Sequence, residues 1–183
     1  MSVDLAWTAL QWPGLEHVIA SFTDSGFQAD SQLVTAEDDP FRAGYELLCD
    51  AAWRVRGLTV RVTSSAGPRT LNLSVTSDGH WTVNGQARPD LDGCVDLDIN
   101  RTPLTNTLPI RRLSWSPQVA VDLDVAYVSV PELDVRPVKQ RYTQLEPYRY
   151  RYESGDFRAD LPVDQNGLVV DYPGLWRRVG KPA

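Results

Sequence analysis

The sequence is poor in the residues that most often announce a chemistry. Among its 183 residues are two cysteines and two histidines. Cys49 and Cys94 have neither C-x-x-C spacing nor a neighbouring histidine, so the common zinc patterns are excluded and a pair of buried, reduced thiols is expected. His17 and His80 stand apart, and no metal or cofactor is expected. There is no G-x-S-x-G elbow, no P-loop and no G-x-G-x-x-G, which removes hydrolases, NTPases and dehydrogenases in their standard forms. No apolar run approaches the roughly 20 residues of a membrane span, so no integral membrane segment is expected. The first residues, Met1 to Trp7, have no basic stretch and no apolar stretch, so no secretory signal is expected and the expected compartment is the cytoplasm. Lys/Arg blocks are missing too, and the net charge is −6. Nucleic acid is therefore not an expected partner. No window of a dozen residues carries a helical stripe, and no repeat, linker or low-complexity segment divides the chain. One domain spanning 1–183 is the expectation.

What is present is alternation. Hydrophobic residues make up 42% of the chain and charged residues 23%, ordinary values for a globular protein with a core. Strand patterns run over Leu5 to Trp12, Glu16 to Thr23, Phe27 to Ala36, Tyr45 to Cys49 and Trp53 to Thr63. Leu71, Leu73 and Val75 alternate with polar residues, then Ser77-Asp78-Gly79 and Asn84-Gly85 turn the chain on either side of Trp81 and Val83. After Arg88-Pro89-Asp90 comes a central strand. Val119 to Ala126 alternates again, and a phase shift at Tyr127 predicts a β-bulge near Ala126. Short strands follow at Tyr142 to Leu145, Tyr148 to Tyr152, Phe157 to Leu161 and Leu168 to Tyr172. So many short strands must curl or close, because a long flat sheet leaves exposed edges. The expected fold is mainly β: a single curled antiparallel meander forming a spiral β-roll or open barrel.

The rest is organised around Leu91 to Leu113. Val95, Leu97 and Ile99 alternate with Cys94, Asp96, Asp98 and Asn100. At Thr102-Pro103 the strand must end, because proline has no N–H for a ladder and Thr102 can cap a helical turn. One short helix is expected near 103–113, with Leu104 and Leu108 on one face and Pro109 stopping it. Arg111 and Arg112 follow. If they lie on a strand, one of the two faces the cleft and the other turns away. Two carboxylates, Asn106 and two guanidinium groups thus gather beside a strand end.

Several constellations are candidates for chemistry. Asp96 and Asp98 share a strand face, with side chains about 6–7 Å apart by strand geometry. Such a pair, or Glu16, can serve as acid and base on a sugar. The plainer reading pairs the two aspartates with Arg111 or Arg112. Those arginines also suit a phosphate, sulfate or carboxylate. Trp7, Trp53, Trp81, Tyr142, Tyr148, Tyr150, Tyr152 and Tyr172 can fill a core or line a cavity for an amphiphile.

Six segments together resemble a family of uncharacterised bacterial proteins named for glycolipid binding. They are Tyr45 to Arg56, Asp78-Gly79-His80-Trp81, Asp92 to Asp98, Asn106-Thr107-Leu108-Pro109-Ile110-Arg111-Arg112-Leu113, Gln140-Arg141-Tyr142-Thr143 and Asp171-Tyr172-Pro173. The resemblance implies a spiral β-roll like that of bacterial lipoprotein carriers. It also implies a role in glycolipid binding or metabolism. No catalytic residue carries over. Two functions stay open. In one, a glycolipid or similar amphiphile is bound by Trp53, Asp96, Asp98, Asn106, Arg111, Arg112 and Tyr142. In the other, a hydrolase uses carboxylates of the central strand on a sugar or lipid-linked substrate. Circular dichroism is expected to give a β spectrum; more than about a quarter helix would contradict the fold reading.

Overall fold

The computed structural model describes residues 1–180. Strand accounts for 59% of the chain and helix for 7%, so the β-dominated expectation holds. The strands form two sheets. The first half of the chain is a meander, β1 (Ser2–Ala9), β2 (Gly14–Thr23), β3 (Gly26–Thr35), β4 (Phe41–Asp50), β5 (Val55–Ser64), β6 (Gly67–Val75), β7 (Trp81–Val83) and β8 (Gln86–Ala87). All its neighbours pair antiparallel. Alternation is strictest in β3. Phe27, Ala29, Ser31, Leu33 and Thr35 are buried, while Gln28, Asp30, Gln32 and Val34 face out.

The chain then leaves this sheet. The central strand β9 (Asp96–Ile99) joins a second sheet with β10 (Ala120–Val128), β11 (Val135–Glu146), β12 (Arg149–Ser154) and β13 (Phe157–Pro162), in the order β13-β12-β11-β10-β9. The pair β9–β10 is parallel, so the meander is not antiparallel throughout. Its connection contains the single α-helix among the described residues, α1 (Thr107–Arg112), preceded by a 3-10 turn at Leu104–Asn106. A parallel neighbour requires such a crossover. The last strands, β14 (Asp171–Tyr172) and β15 (Trp176–Val179), return to the first sheet beside β1. In the connection from β13 to β14 an isolated antiparallel bridge pairs Val163 with Val169.

Three expectations change. There is no bulge at Ala126: the β10–β11 register is continuous from Ala120 to Val128. The apparent phase shift arises because β10 gains β9 as a neighbour from Val125 onward, and Val125, Ala126 and Val128 are all buried. The strand passes from a sheet edge into the interior, where both faces are covered. Pro109 does not stop the helix. It sits in the first turn of α1, where a missing N–H costs little. Finally, β11 is long and includes Pro137. That residue lies opposite Ala126, while β12 pairs only from Arg141 onward, so Pro137 occupies a stretch with one neighbour.

The helix lies inside the roll. Leu104 and Leu108 are fully buried, Ile110 nearly so, and they belong to one hydrophobic cluster with Trp7, Trp81, Trp176 and the inner faces of both sheets. Thr102 Oγ1 accepts the Leu104 amide at 3.0 Å and starts the helical segment. Tyr45 OH lies 3.2 Å from Thr102 Oγ1 and donates to Glu16 Oε1 at 2.8 Å, where Ser31 Oγ also donates at 2.7 Å. With the phenol hydrogen given to Glu16, the Thr102 hydroxyl donates to Tyr45. This chain of hydroxyls fastens the helix entrance to β2, β3 and β4.

Glu16 is fully buried, and its Oε2 has no partner among the described residues. Burial pushes its carboxyl up to about 7, only partly opposed by the hydrogen bonds it accepts from Ser31 and Tyr45. The folded-state value lies above the unfolded 4.5, so the folded protein keeps a proton that the unfolded chain releases. Stability is fully present below the unfolded value and falls as pH rises toward 7. Denaturant unfolding at about pH 5 and pH 8 checks this. Relative to wild type, Glu16→Gln should gain about 2–3 kcal/mol between the two conditions. A pH-independent difference would contradict it.

Candidate functional site

Strand β9 and α1 place the polar residues of the central stretch in different surroundings. Asp96 is 1% exposed and accepts a two-pronged contact from Arg112, Nε at 3.0 Å and Nη2 at 2.5 Å. Burial raises the Asp96 carboxyl above its ordinary value, and Arg112 opposes the shift. Asp98, two residues on, points from the same strand face. Its oxygens accept from Thr105 Oγ1 at 2.9 Å and Gln140 Nε2 at 2.7 Å. No cation pairs with it among the described residues, and burial raises its carboxyl as well.

Arg111 and Arg112 lie in the last turn of a helix and not on a strand, so the opposite-face argument does not apply. Arg112 turns to Asp96. Arg111 lies over the Trp53 ring, 5.1 Å from its centroid. Trp53 stacks in turn on Phe27 at 4.8 Å. It occupies a left-handed turn residue with φ of 62° and not the strand predicted from Trp53 onward. Gly167, with φ of +80°, lets the 164–168 turn approach this helix end: a Cβ there would sit 2.9 Å from Arg111 Cδ. Tyr142 is 1% exposed and donates to Asn106 Oδ1 at 2.9 Å. Asn106 also donates to the Pro103 carbonyl at 3.2 Å.

A cleft of about 270 Å³ opens over Asp98 and Asn106. The β9–helix segment supplies these two and Thr102. Tyr127 and Arg136 come from β10 and β11, and Tyr152 and Phe157 from the β12–β13 hairpin. The last strands add Tyr172 and Trp176. Tyr152, Phe157 and Tyr172 form a triangle with centroids 6.0, 6.1 and 6.3 Å apart. Hydroxyl, amide and carboxylate groups thus sit against several rings. Such an arrangement sets hydrogen-bonding groups beside apolar ring faces.

A second cavity of about 350 Å³ lies by the other end of β9, among Arg54, Arg56, His80, Asp92, Cys94 and Arg112. Most of its charges are already engaged. Arg56 is paired to Asp50, Arg112 to Asp96, and His80 to Asp92. Cys94 is a free thiol whose burial raises it to about 11, which leaves it unreactive.

Comparison with known proteins fits this architecture. The family described as "Putative glycolipid-binding" matches residues 4–178. The chain belongs to this family. Among solved structures, a DUF1089 family protein from Pseudomonas aeruginosa is 38% identical over 90% of this chain and 92% of its own, with a TM-score of 0.82. No curated protein matches the chain. The glycolipid-binding family description supports a binding role at family level.

The seven residues singled out in the sequence therefore divide. Asp98 and Asn106 line the aromatic cleft. Arg112 lines the second cavity, with Asp96 behind it. Arg111 and Trp53 form a separate stack, and Tyr142 lies beneath Asn106. Tyr127, Arg136, Phe157 and Trp176 were not singled out. For Tyr127 and Arg136 the missing signal is the pairing of β9, which no local pattern encodes.

The Asp96–Arg112 pair has a measurable consequence. Arg112→Met leaves a buried carboxylate without its cation and should cost about 3–5 kcal/mol. Adding Asp96→Leu should recover most of that loss, because an apolar pair has no charge to desolvate. Urea unfolding of both variants checks this; a single-variant loss under about 1 kcal/mol would contradict it.

Proposed function

We propose that the protein binds a glycolipid, or a similar sugar-bearing amphiphile, by its head group in the Asp98 cleft. The observation that carries this reading is a carboxylate without a cation partner among the described residues, held by Gln140 and Thr105 and faced by the rings of Tyr152 and Tyr172. Sugar hydroxyls donate to Asp98, and the apolar face of the sugar ring packs on the aromatic groups. The cleft volume is near the lower end for small-molecule sites, which suits a head group better than a whole lipid. The roll interior is occupied by α1, so the apolar tail stays outside the core in this reading.

The carboxylates favour binding over hydrolysis. A two-carboxylate hydrolase needs two acids flanking one bond. Asp98 is the only acid among the residues lining the cleft; Asp96 is tied to Arg112 and Glu16 is buried against Tyr45. We assign the protein to the cytoplasm on the free thiols of Cys49 and Cys94, and to a bacterial cell by analogy with its Pseudomonas relative. No helix among the described residues is long and apolar enough to cross a membrane.

Titration with octyl glycosides, below their micelle concentrations and followed by backbone amide NMR, tests the reading. Shifts should cluster at Asn100, Tyr127, Tyr152 and Tyr172. Asp98→Asn should weaken binding by about tenfold, the worth of one charge-assisted hydrogen bond. Shifts confined to another surface, or an undiminished affinity in a folded Asp98→Asn variant, would overturn it.

A further inference from the structure

Strand register places three side chains of the cleft in one row. Asp98 of β9 lies opposite Tyr127 of β10, which lies opposite Arg136 of β11. Cross-strand partners share a sheet face, and all three line the cleft. Two strand spacings separate the ends, so the row is about 10 Å wide between backbones. Of the residues lining the cleft only two are charged, and they are the two ends of this row.

The two charges are held differently. Asp98 accepts from two neutral donors and is set into the wall. Arg136 is exposed, and its guanidinium lies 5.0 Å from the centroid of the Tyr127 ring. Stacking on a ring fixes the guanidinium plane and leaves its N–H edges free for a ligand. Among the described residues no carboxylate pairs with it. Further along the same strand, Arg141 is engaged by Asp122 at 2.6 Å, and in the next strand Arg151 is engaged by Asp160 at 2.8 Å. The cleft therefore offers a fixed acceptor for hydroxyls at one end and an unneutralised, bidentate donor at the other.

We infer that the head group bound in this cleft is anionic: a sugar carrying a phosphate, sulfate or carboxylate. The inference rests on the head-group reading above and names its substrate class. The sugar hydroxyls donate to Asp98, the ring lies along Tyr127, and the anionic substituent takes two N–H bonds from Arg136. The order is fixed by charge, because an anion set against Asp98 would meet a carboxylate.

The test uses the full chain and amide NMR titration with matched probes: glucose and galactose, their 6-phosphates, galactose 6-sulfate, and glucuronate and galacturonate. At least one anionic probe should bind about tenfold more tightly than its neutral parent, with shifts at Tyr127 and Arg136. That preference should shrink in high salt and be lost in Arg136→Gln. It should survive in Arg141→Gln, which removes an arginine from the opposite face of the same strand. Melting temperatures of the variants confirm that each is folded. Neutral and anionic sugars bound equally in the cleft, or a preference that survives Arg136→Gln, would overturn the inference while leaving the head-group reading intact. Cleft residues unmoved by every probe would overturn both. The phosphate, sulfate and carboxylate arms then identify which anion is preferred.

Discussion

A buried ion pair between Asp96 and Arg112 holds the centre of this fold. Burying two charges is costly, and the attraction between them repays the cost only when the geometry is good. Here it is two-pronged, and Asp96 is almost wholly enclosed. The pair joins the start of β9 to the end of α1. Everything between is therefore a closed loop pinned at its base: the strand, the Thr102-Pro103 stop, the 3-10 turn and the helix. At the helix entrance the Glu16–Tyr45–Thr102 hydroxyl chain supplies a second attachment, to the opposite sheet. A six-residue helix is far too short to persist alone. Fixed at both ends, it carries Leu104, Leu108 and Ile110 into the core.

The same pinning shapes the cleft. Asp96 and Asp98 share a strand face, yet one faces Arg112 and the other meets only neutral donors. Because Asp96 absorbs the helix's terminal guanidinium, Asp98 is left at the cleft with neutral donors alone. Asn106 is fixed by Tyr142 below it and by the Pro103 carbonyl beside it. Its position relative to Asp98 therefore depends on the helix staying in place. Groups tied into the structure and groups facing the cleft alternate within one short stretch, and the rings of β12 to β15 close over the second kind.

How much of this the sequence discloses depends on the range of the interaction. Period-2 alternation is local, so β2 to β6 are legible from Glu16 to Val75, as are the Thr102 cap and the buried Leu104–Leu108 face. Sheet membership is not local. Nothing in Val95 to Ile99 states that this strand pairs parallel with β10, and the row of Asp98, Tyr127 and Arg136 exists only through that pairing. Pro109 reads as a stop because proline breaks helices, yet in a first turn it breaks nothing. A helix stopped at Pro109 would leave Arg111 and Arg112 on an extended segment, pointing to opposite faces. On a helix they diverge to a ring and a carboxylate instead. The terminal strand β15 is equally silent, since Trp176–Val179 is a strand chiefly because β1 offers it an edge.

The central claim is that α1 fills the roll and leaves only the head group of an amphiphile to be bound, at Asp98. A crystal structure of the protein soaked or grown with an octyl glycoside that binds it tests this most directly. The account predicts the sugar between Asp98 and the rings of Tyr152 and Tyr172, with α1 in place and the octyl chain outside the core. An octyl chain running through the interior, with α1 displaced and the Asp96–Arg112 contact broken, would contradict it.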